Sequence, residues 1–375
     1  MNKKILIIGG YGNVGRIIAA QLGEQFPGQV IVAGRNYQKA RELSLELRQQ
    51  VIPMALDISR VSANDGLLDD VGIVIMCLDQ ENIEFVRQCI QRGVHYIDIS
   101  ASYHILSRIE ALNKEAEKAG ATAVLSAGLA PGLTNLLTRH CQSKLPDMTY
   151  ADIYLLFGLG EAHGDAAYEW TFENLNTEFA VSDNGETKRV KSFEEGKQTI
   201  FPGKMGKRTA YRYNFPEQHV IPQTLGLGRV STWLCFDSAL MTGLFALVKK
   251  MGLSRILTIK GVEKVLIGML KQLHLGSEEF VIKVEGGNLP EKGVLYECSL
   301  SGEGEARVTG LVTAKITEKL GLSSFPSGVF HIEQLFTLLE FLASLGHHGL
   351  KFEEKEYAAP EPLAVGAAPR KGVTR

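Results

Sequence analysis

The sequence predicts an α/β fold, a doubly wound parallel sheet with an inserted α+β domain on a largely antiparallel sheet. Three observations predict it. Short apolar runs alternate with helical patterns through the first third of the chain, as βαβ units require. A glycine-rich turn joins the first run to the first helical pattern. Beyond Pro131 short strands punctuated by Gly and Pro take over, and two later runs flank Gly286-Gly287-Asn288-Leu289-Pro290, a hairpin signal.

The candidate strands of the first region are Lys4–Gly9, Gln29–Ala33, Val51–Ala55, Ile73–Cys77, His95–Ile99 and Thr122–Leu125. Helical patterns lie between them at Val14–Gly23, Tyr37–Gln49, Gln80–Arg92 and Ile105–Lys118. In the middle region Tyr150–Leu156 alternates as a strand and Ala166–Glu178 reads as a helix. Short strands fill Glu186–Phe236, helices follow at Ser238–Met251 and Ile259–Leu273, and Glu279–Glu285 with Val294–Leu300 form the hairpin arms. The amphipathic stretches Val308–Leu320 and Ile332–Leu345 are expected to return to the first domain. The expected division is therefore 1–130 with 306–350, an insertion over 131–305, and a disordered Ala- and Pro-rich tail over 358–375.

At 375 residues the chain exceeds what one hydrophobic core supports. A net charge of -2 provides no overall basic field for nucleic acid or an anionic membrane. Cys77, Cys89, Cys141, Cys235 and Cys298 are scattered, with no CxxC and no zinc-ligand spacing, so reduced thiols, a cytoplasmic location and no metal are expected. The run Ile5–Ile8 is cut by Gly9-Gly10 and reads as a buried strand, not a signal peptide. Ala239–Val248 is too short to cross a bilayer.

Gly10-Tyr11-Gly12-Asn13-Val14-Gly15 matches GxGxxG, follows a buried strand and opens an apolar helix. In that setting the glycines allow a tight turn, approach of backbone to a pyrophosphate, and close helix–strand packing, so a Rossmann-type dinucleotide site is expected. An NAD site usually has Asp or Glu at the end of the second strand. Here the strand ends Ala33-Gly34-Arg35-Asn36, with Lys39 one turn on. A guanidinium suits a 2′-phosphate, so NADP is favoured, with NAD as the alternative. Asp57-Ile58 would flank the adenine and Cys77-Leu78 the dinucleotide path. No Tyr is followed by Lys four places on, and HExxH, GxSxG and GxxxxGK[ST] are missing, which removes several other enzyme classes.

Taken with His95-Tyr96-Ile97-Asp98-Ile99-Ser100, Gly128-Leu129-Ala130-Pro131-Gly132-Leu133 and Pro326-Ser327-Gly328-Val329-Phe330 with Glu333, the glycine loop and Arg35-Asn36 resemble the saccharopine dehydrogenase NADP-binding family. The resemblance runs from about residue 4 to 345. It implies a Rossmann domain with a second α/β domain inserted, often a homodimer. It also implies NAD(P)-linked chemistry at an amine or imine carbon of an amino-acid-type small molecule. Ligands of open α/β sheets lie beyond the carboxyl ends of the strands, which nominates Asp98 as a catalytic or capping group and Ala130-Pro131-Gly132 as backbone beside the nicotinamide. A carboxylate-bearing substrate would need cationic clamps, for which Arg212 and Arg229 are candidates, with His163 also placed against substrate. Lys204, Lys207 and Arg208 read as solvated charges, and Tyr168 and Glu169 are the nearest candidates for general acid or base. A carbonyl or enoyl reductase and a non-catalytic NADP(H) sensor stand as alternatives.

Overall fold

The structure is a computed structural model that describes residues 3–61, 66–161, 171, 174–254, 276–288 and 293–357. The expected helix Ile259–Leu273, most of Ala166–Glu178 and the tail from Ala358 lie outside these residues.

The described residues form two sheets. The first is built from β1 (Lys4–Ile8), β2 (Val30–Gly34), β3 (Val51–Ala55), β4 (Val71–Met76), β5 (His95–Asp98), β6 (Thr122–Leu125) and a late strand, β15 (Gly328–His331). Its order is β15-β6-β5-β4-β1-β2-β3, all parallel. Pro53 is tolerated in β3 because that strand sits at the edge. The strand after Pro326-Ser327, which the sequence offers only as part of a motif, extends the sheet at the opposite edge.

Strand β1 shows why the sheet must be covered on both faces. Ile5 and Ile7 enter one core with Ile18 and Leu22, whereas Leu6 and Ile8 enter the other with Phe85 and Val86. All four are essentially inaccessible, and each contributes roughly 2 kcal/mol of burial. The covering helices include α1 (Asn13–Gln25), α2 (Tyr37–Glu46), α3 (Glu84–Gln91), α4 (Tyr103–Glu110) and α5 (Asn113–Ala119). The single helix expected over Ile105–Lys118 is thus two, broken at Ala111-Leu112.

Helix α6 (Leu133–Lys144) carries the chain to the second sheet, where β7 (Tyr150–Phe157) is central. The other strands are β8 (Glu178–Asp183), β9 (Glu186–Lys191), β10 (Gly196–Phe201), β11 (Gly206–Arg212), β12 (Arg229–Phe236), β13 (Glu279–Gly287), β14 (Tyr296–Glu303) and β16 (Lys351–Glu356). β7 and β12 run parallel and the other pairings are antiparallel. The region read as strands alone also contains α7 (Glu217–Leu225), which begins after Pro216 and ends at Gly226 in the left-handed conformation. Helix α8 (Ala239–Lys250) follows β12. The sheet curls on itself, so that Thr199 on β10 donates to Glu285 on β13 at 2.5 Å and Lys283 donates to the Ile200 carbonyl at 2.8 Å.

Helix α9 (Glu305–Leu322) returns to lie along α1, and α10 (Ile332–Leu335) and α11 (Leu338–Leu345) follow β15. Gly310 is what lets α9 approach: a Cβ there would meet the Ile17 side chain at 2.7 Å. Gly310→Val should therefore overpack the helix pair and lower stability by about 1–3 kcal/mol, read from the urea midpoint. An unchanged midpoint would mean the two helices can separate without cost.

Candidate functional site

The glycine loop lies at the carboxyl end of β1. Any side chain on Gly15 would run into the Gly9 carbonyl oxygen, so the start of α1 is pressed onto the strand. Helix α1 has no acidic residue in its first turn, which leaves its opening N–H groups to face an anion. Tyr11 folds back over Gly34 at the end of β2, and its hydroxyl accepts the Asn36 N–H at 3.0 Å. Asn36 in turn caps α2 by accepting the Lys39 N–H at 3.2 Å. Arg35 is exposed at this corner, and Asp57, at the end of β3, lies within its field. Leu78, following β4, packs against Gly9. Loop, β2 corner and β4 end thus converge on one rim, and the residues present fit a dinucleotide.

At the end of β6 the chain makes a tight loop. The Ala130–Pro131 peptide is cis, Gly132 has φ +144°, and a Cβ on Gly132 would overlap the Gly128 carbonyl. Gly128 N–H donates to the Pro131 carbonyl at 3.0 Å, and Leu129 N–H donates to Thr309 Oγ1 on α9 at 3.2 Å. Beneath the loop lies a buried polar cluster. Asn135 Oδ1 accepts the Gly132 N–H at 3.2 Å, and Asn135 Nδ2 donates to Glu333 on α10 at 3.0 Å. Thr224 on α7 donates to the other Glu333 oxygen at 2.6 Å, and Thr134 donates to Glu217 at 2.7 Å. Arg139 donates to the Glu333 and Phe336 carbonyls. Burial pushes Glu217 up to about 7.

Asp98 ends β5 and is fully buried. It accepts from the Tyr96 hydroxyl at 2.6 Å, from Gln80 at 3.1 Å and from the Ser100 N–H at 2.7 Å. Desolvation outweighs these bonds and raises it to about 6. The turn it holds leads into a cleft of about 660 Å³ between the sheets. Asp79, Ser102 and Tyr103 line one wall; Asn174, Glu178, Asn214 and His219 line the other. Tyr103 stacks on His219 at 4.6 Å across it, and burial takes His219 down to about 4, so its imidazole is neutral.

The structure thus brings Gly10 to Gly15, Arg35, Asn36, Asp57, Ile58, Cys77, Leu78, Asp98 and Ala130 to Gly132 to the carboxyl ends of one sheet. His163, Tyr168 and Glu169 lie outside the described residues. Arg212 and Arg229 do not join the cleft. Arg212 is bound to Glu195 at 2.8 Å and Ser231 at 3.0 Å, with its guanidinium 4.5 Å from the centre of the Trp233 ring. Arg229 stands at the opposite end of β12 from the cleft, 3.5 Å from Asp152. Cations drawn out of water need partners, and these two have found theirs on the second sheet. Sequence reading missed Asp79, Tyr103, Glu217 and His219, which have no motif and meet only through the fold.

A glycine-rich loop under a helix start, on a doubly wound parallel sheet, defines a dinucleotide-binding protein. Residues 5–124 match the family described as the saccharopine dehydrogenase NADP binding domain. The chain is 22% identical over 274 residues to carboxynorspermidine synthase of Vibrio cholerae serotype O1 (strain ATCC 39315 / El Tor Inaba N16961). That match covers 65% of this chain and 65% of the relative's length. Apo saccharopine dehydrogenase (L-Glu forming) from Saccharomyces cerevisiae has the same fold, with a TM-score of 0.65 at 16% identity over 95% of this chain and 100% of that one. No helix among the described residues is long and apolar enough to cross a membrane.

Glu217 makes stability depend on pH. Its folded pKa, about 7, lies above the ordinary 4.5, so the folded state holds the proton more tightly. Its contribution is complete below about pH 4.5 and is lost as pH rises through about 7, a change of roughly 3 kcal/mol. Glu217→Gln cannot ionise, so its stability relative to the parent should rise between about pH 5 and pH 8 in urea titrations. Parallel curves for the two proteins would refute the assignment.

Proposed function

We propose that the protein is an NADP-dependent oxidoreductase acting at the amine or imine carbon of an amino-acid-type substrate. The observation that supports this best is the β2 corner, where Arg35, Asn36 and Lys39 replace the carboxylate of an NAD site beside an intact glycine loop. The family match supports a nicotinamide dinucleotide, and the relative named carboxynorspermidine synthase supports chemistry on a molecule carrying amine and carboxyl groups.

In this reading Gly10, Tyr11, Gly12, Asn13, Val14 and Gly15 hold the pyrophosphate, Arg35 and Asn36 the 2′-phosphate, and Asp57 and Ile58 the adenine end. Cys77 and Leu78 line the path between, and Ala130, Pro131 and Gly132 back the nicotinamide. When bound, the nicotinamide accepts or donates the hydride. Asp98, sealed from solvent, acts as a positioning residue that fixes the turn at Ser100 and the cleft wall beyond it. Tyr168 and Glu169 are the candidates for proton transfer. The dinucleotide domain is assigned to 1–130 with 306–350, and the substrate domain to 131–305. We assign the protein to the cytoplasm as a homodimer.

Fluorescence titration with NADPH and NADH tests the cofactor assignment. Arg35→Ala should weaken NADPH about 10–100-fold, the cost of losing charge-assisted bonds to a phosphate, and leave NADH unchanged. Equal loss for both nucleotides would overturn the assignment of Arg35, and no binding of either would overturn the function. Consumption of NADPH with amines or amino acids paired with aldehydes or oxo acids then tests the reaction.

A further inference from the structure

We infer that the outer face of α8 is a docking surface for an anionic lipid membrane, on which the protein lies peripherally. The inference goes beyond the oxidoreductase reading and does not rest on it, since it concerns a surface of the second sheet and not the cofactor rim.

Helix α8 is apolar on two opposite faces. Its inner face carries Thr242, Phe245 and Ala246, at the spacing of one helical stripe. Thr242 is buried and accepts the Phe236 N–H at 2.9 Å, and Phe245 packs on Phe236 and Phe193 at ring separations of 5.4 and 6.4 Å. This inner face seats the helix on β11 and β12. The opposite stripe is Leu240, Leu244, Leu247 and Met251, one helical row that points into solvent. Leu240 is 82% exposed, Met251 61% and Leu247 53%, and Leu253 continues the patch. No other stretch of the described chain gathers as many exposed large apolar side chains. Single exposed leucines are ordinary, but a continuous stripe is a surface that remains to be covered.

Charge selects what covers it. From Ser238 to Ser277 the one acidic residue is Glu263, against Lys249, Lys250, Arg255, Lys260, Lys264 and Lys271, in a chain whose net charge is -2. An apolar stripe bordered by cations is what an interfacial helix presents to anionic headgroups. Its leucines enter the acyl boundary while the cations stay at headgroup level. With 12 residues α8 is too short to cross a bilayer, so it lies in the plane of the surface. A second copy docked about a two-fold axis would set these cations against their own equivalents, which opposes self-pairing of this face. The helix is also tied to the cleft. Lys249 donates to the Leu175 carbonyl at 2.9 Å and Ser254 donates to Asn176 Oδ1 at 2.6 Å, and the flanking Asn174 and Thr177 line the cleft wall.

The test is co-sedimentation of the full-length protein with vesicles of phosphatidylcholine alone and of phosphatidylcholine mixed equally with phosphatidylglycerol. The anionic vesicles should bind at least about tenfold more tightly, and added salt should remove most of that difference. Combining Leu240→Ser, Leu244→Ser and Leu247→Ser should weaken binding about a hundredfold, and Lys250→Glu about tenfold, with the fold retained by circular dichroism. No binding to the anionic vesicles, or equal binding by the leucine triple variant, would overturn the proposal. A triple variant that loses a dimer, while it and the parent both ignore the vesicles, would give the face to a second copy instead. One that loses stability to urea, again with no vesicle binding by either protein, would give it to residues 255–275 of the same chain.

Discussion

The geometry of the site depends on the junction at which β6 ends and α6 begins. Gly132 can occupy its backbone conformation against Gly128 only because it lacks a side chain. The next residues, Thr134 and Asn135, reach down to Glu217 and Glu333, which come from helices on different parts of the chain. Buried carboxyls are costly without partners, so α6, α7 and α10 are held where those hydrogen bonds close. Because α6 also packs on β13 and β14, the same cluster that shapes the loop beside the dinucleotide rim sets the position of the second sheet over the first.

Charge is distributed unevenly by this arrangement. The second sheet buries Arg212 and Lys283 and partly covers Arg229 and Lys197, each matched to a carboxylate, with the buried Asp152 serving Lys197, Arg229 and the Trp233 N–H. Pairs of this kind specify one strand register more than they add stability. Arg35, on the other sheet, stays exposed at the cofactor rim.

The comparisons follow the same physical division. The family match ends at residue 124, while the fold likeness to the yeast enzyme extends over 95% of the chain at 16% identity. Backbone approach to a phosphate demands particular glycines, so the first domain retains a sequence signature. A sheet needs only alternating apolar residues and compatible turns, and many sequences supply these.

Much of the first sheet was legible for that reason. Strands β1 to β6 follow from continuous apolar runs, and the glycine loop and the Arg35 corner follow from residues adjacent in sequence. By itself the sequence determined the doubly wound sheet, the dinucleotide loop and the absence of a carboxylate at the end of β2, since each is set by local periodicity or local backbone sterics. Only the tertiary structure decided that β15 completes the first sheet, that Arg212 and Arg229 turn away from the cleft, and that Glu217 and Glu333 meet beneath Gly132. Those outcomes depend on partners up to about two hundred residues apart, whose pairing is fixed by which buried charges and hydrogen bonds can be satisfied together, a condition no local window of sequence contains.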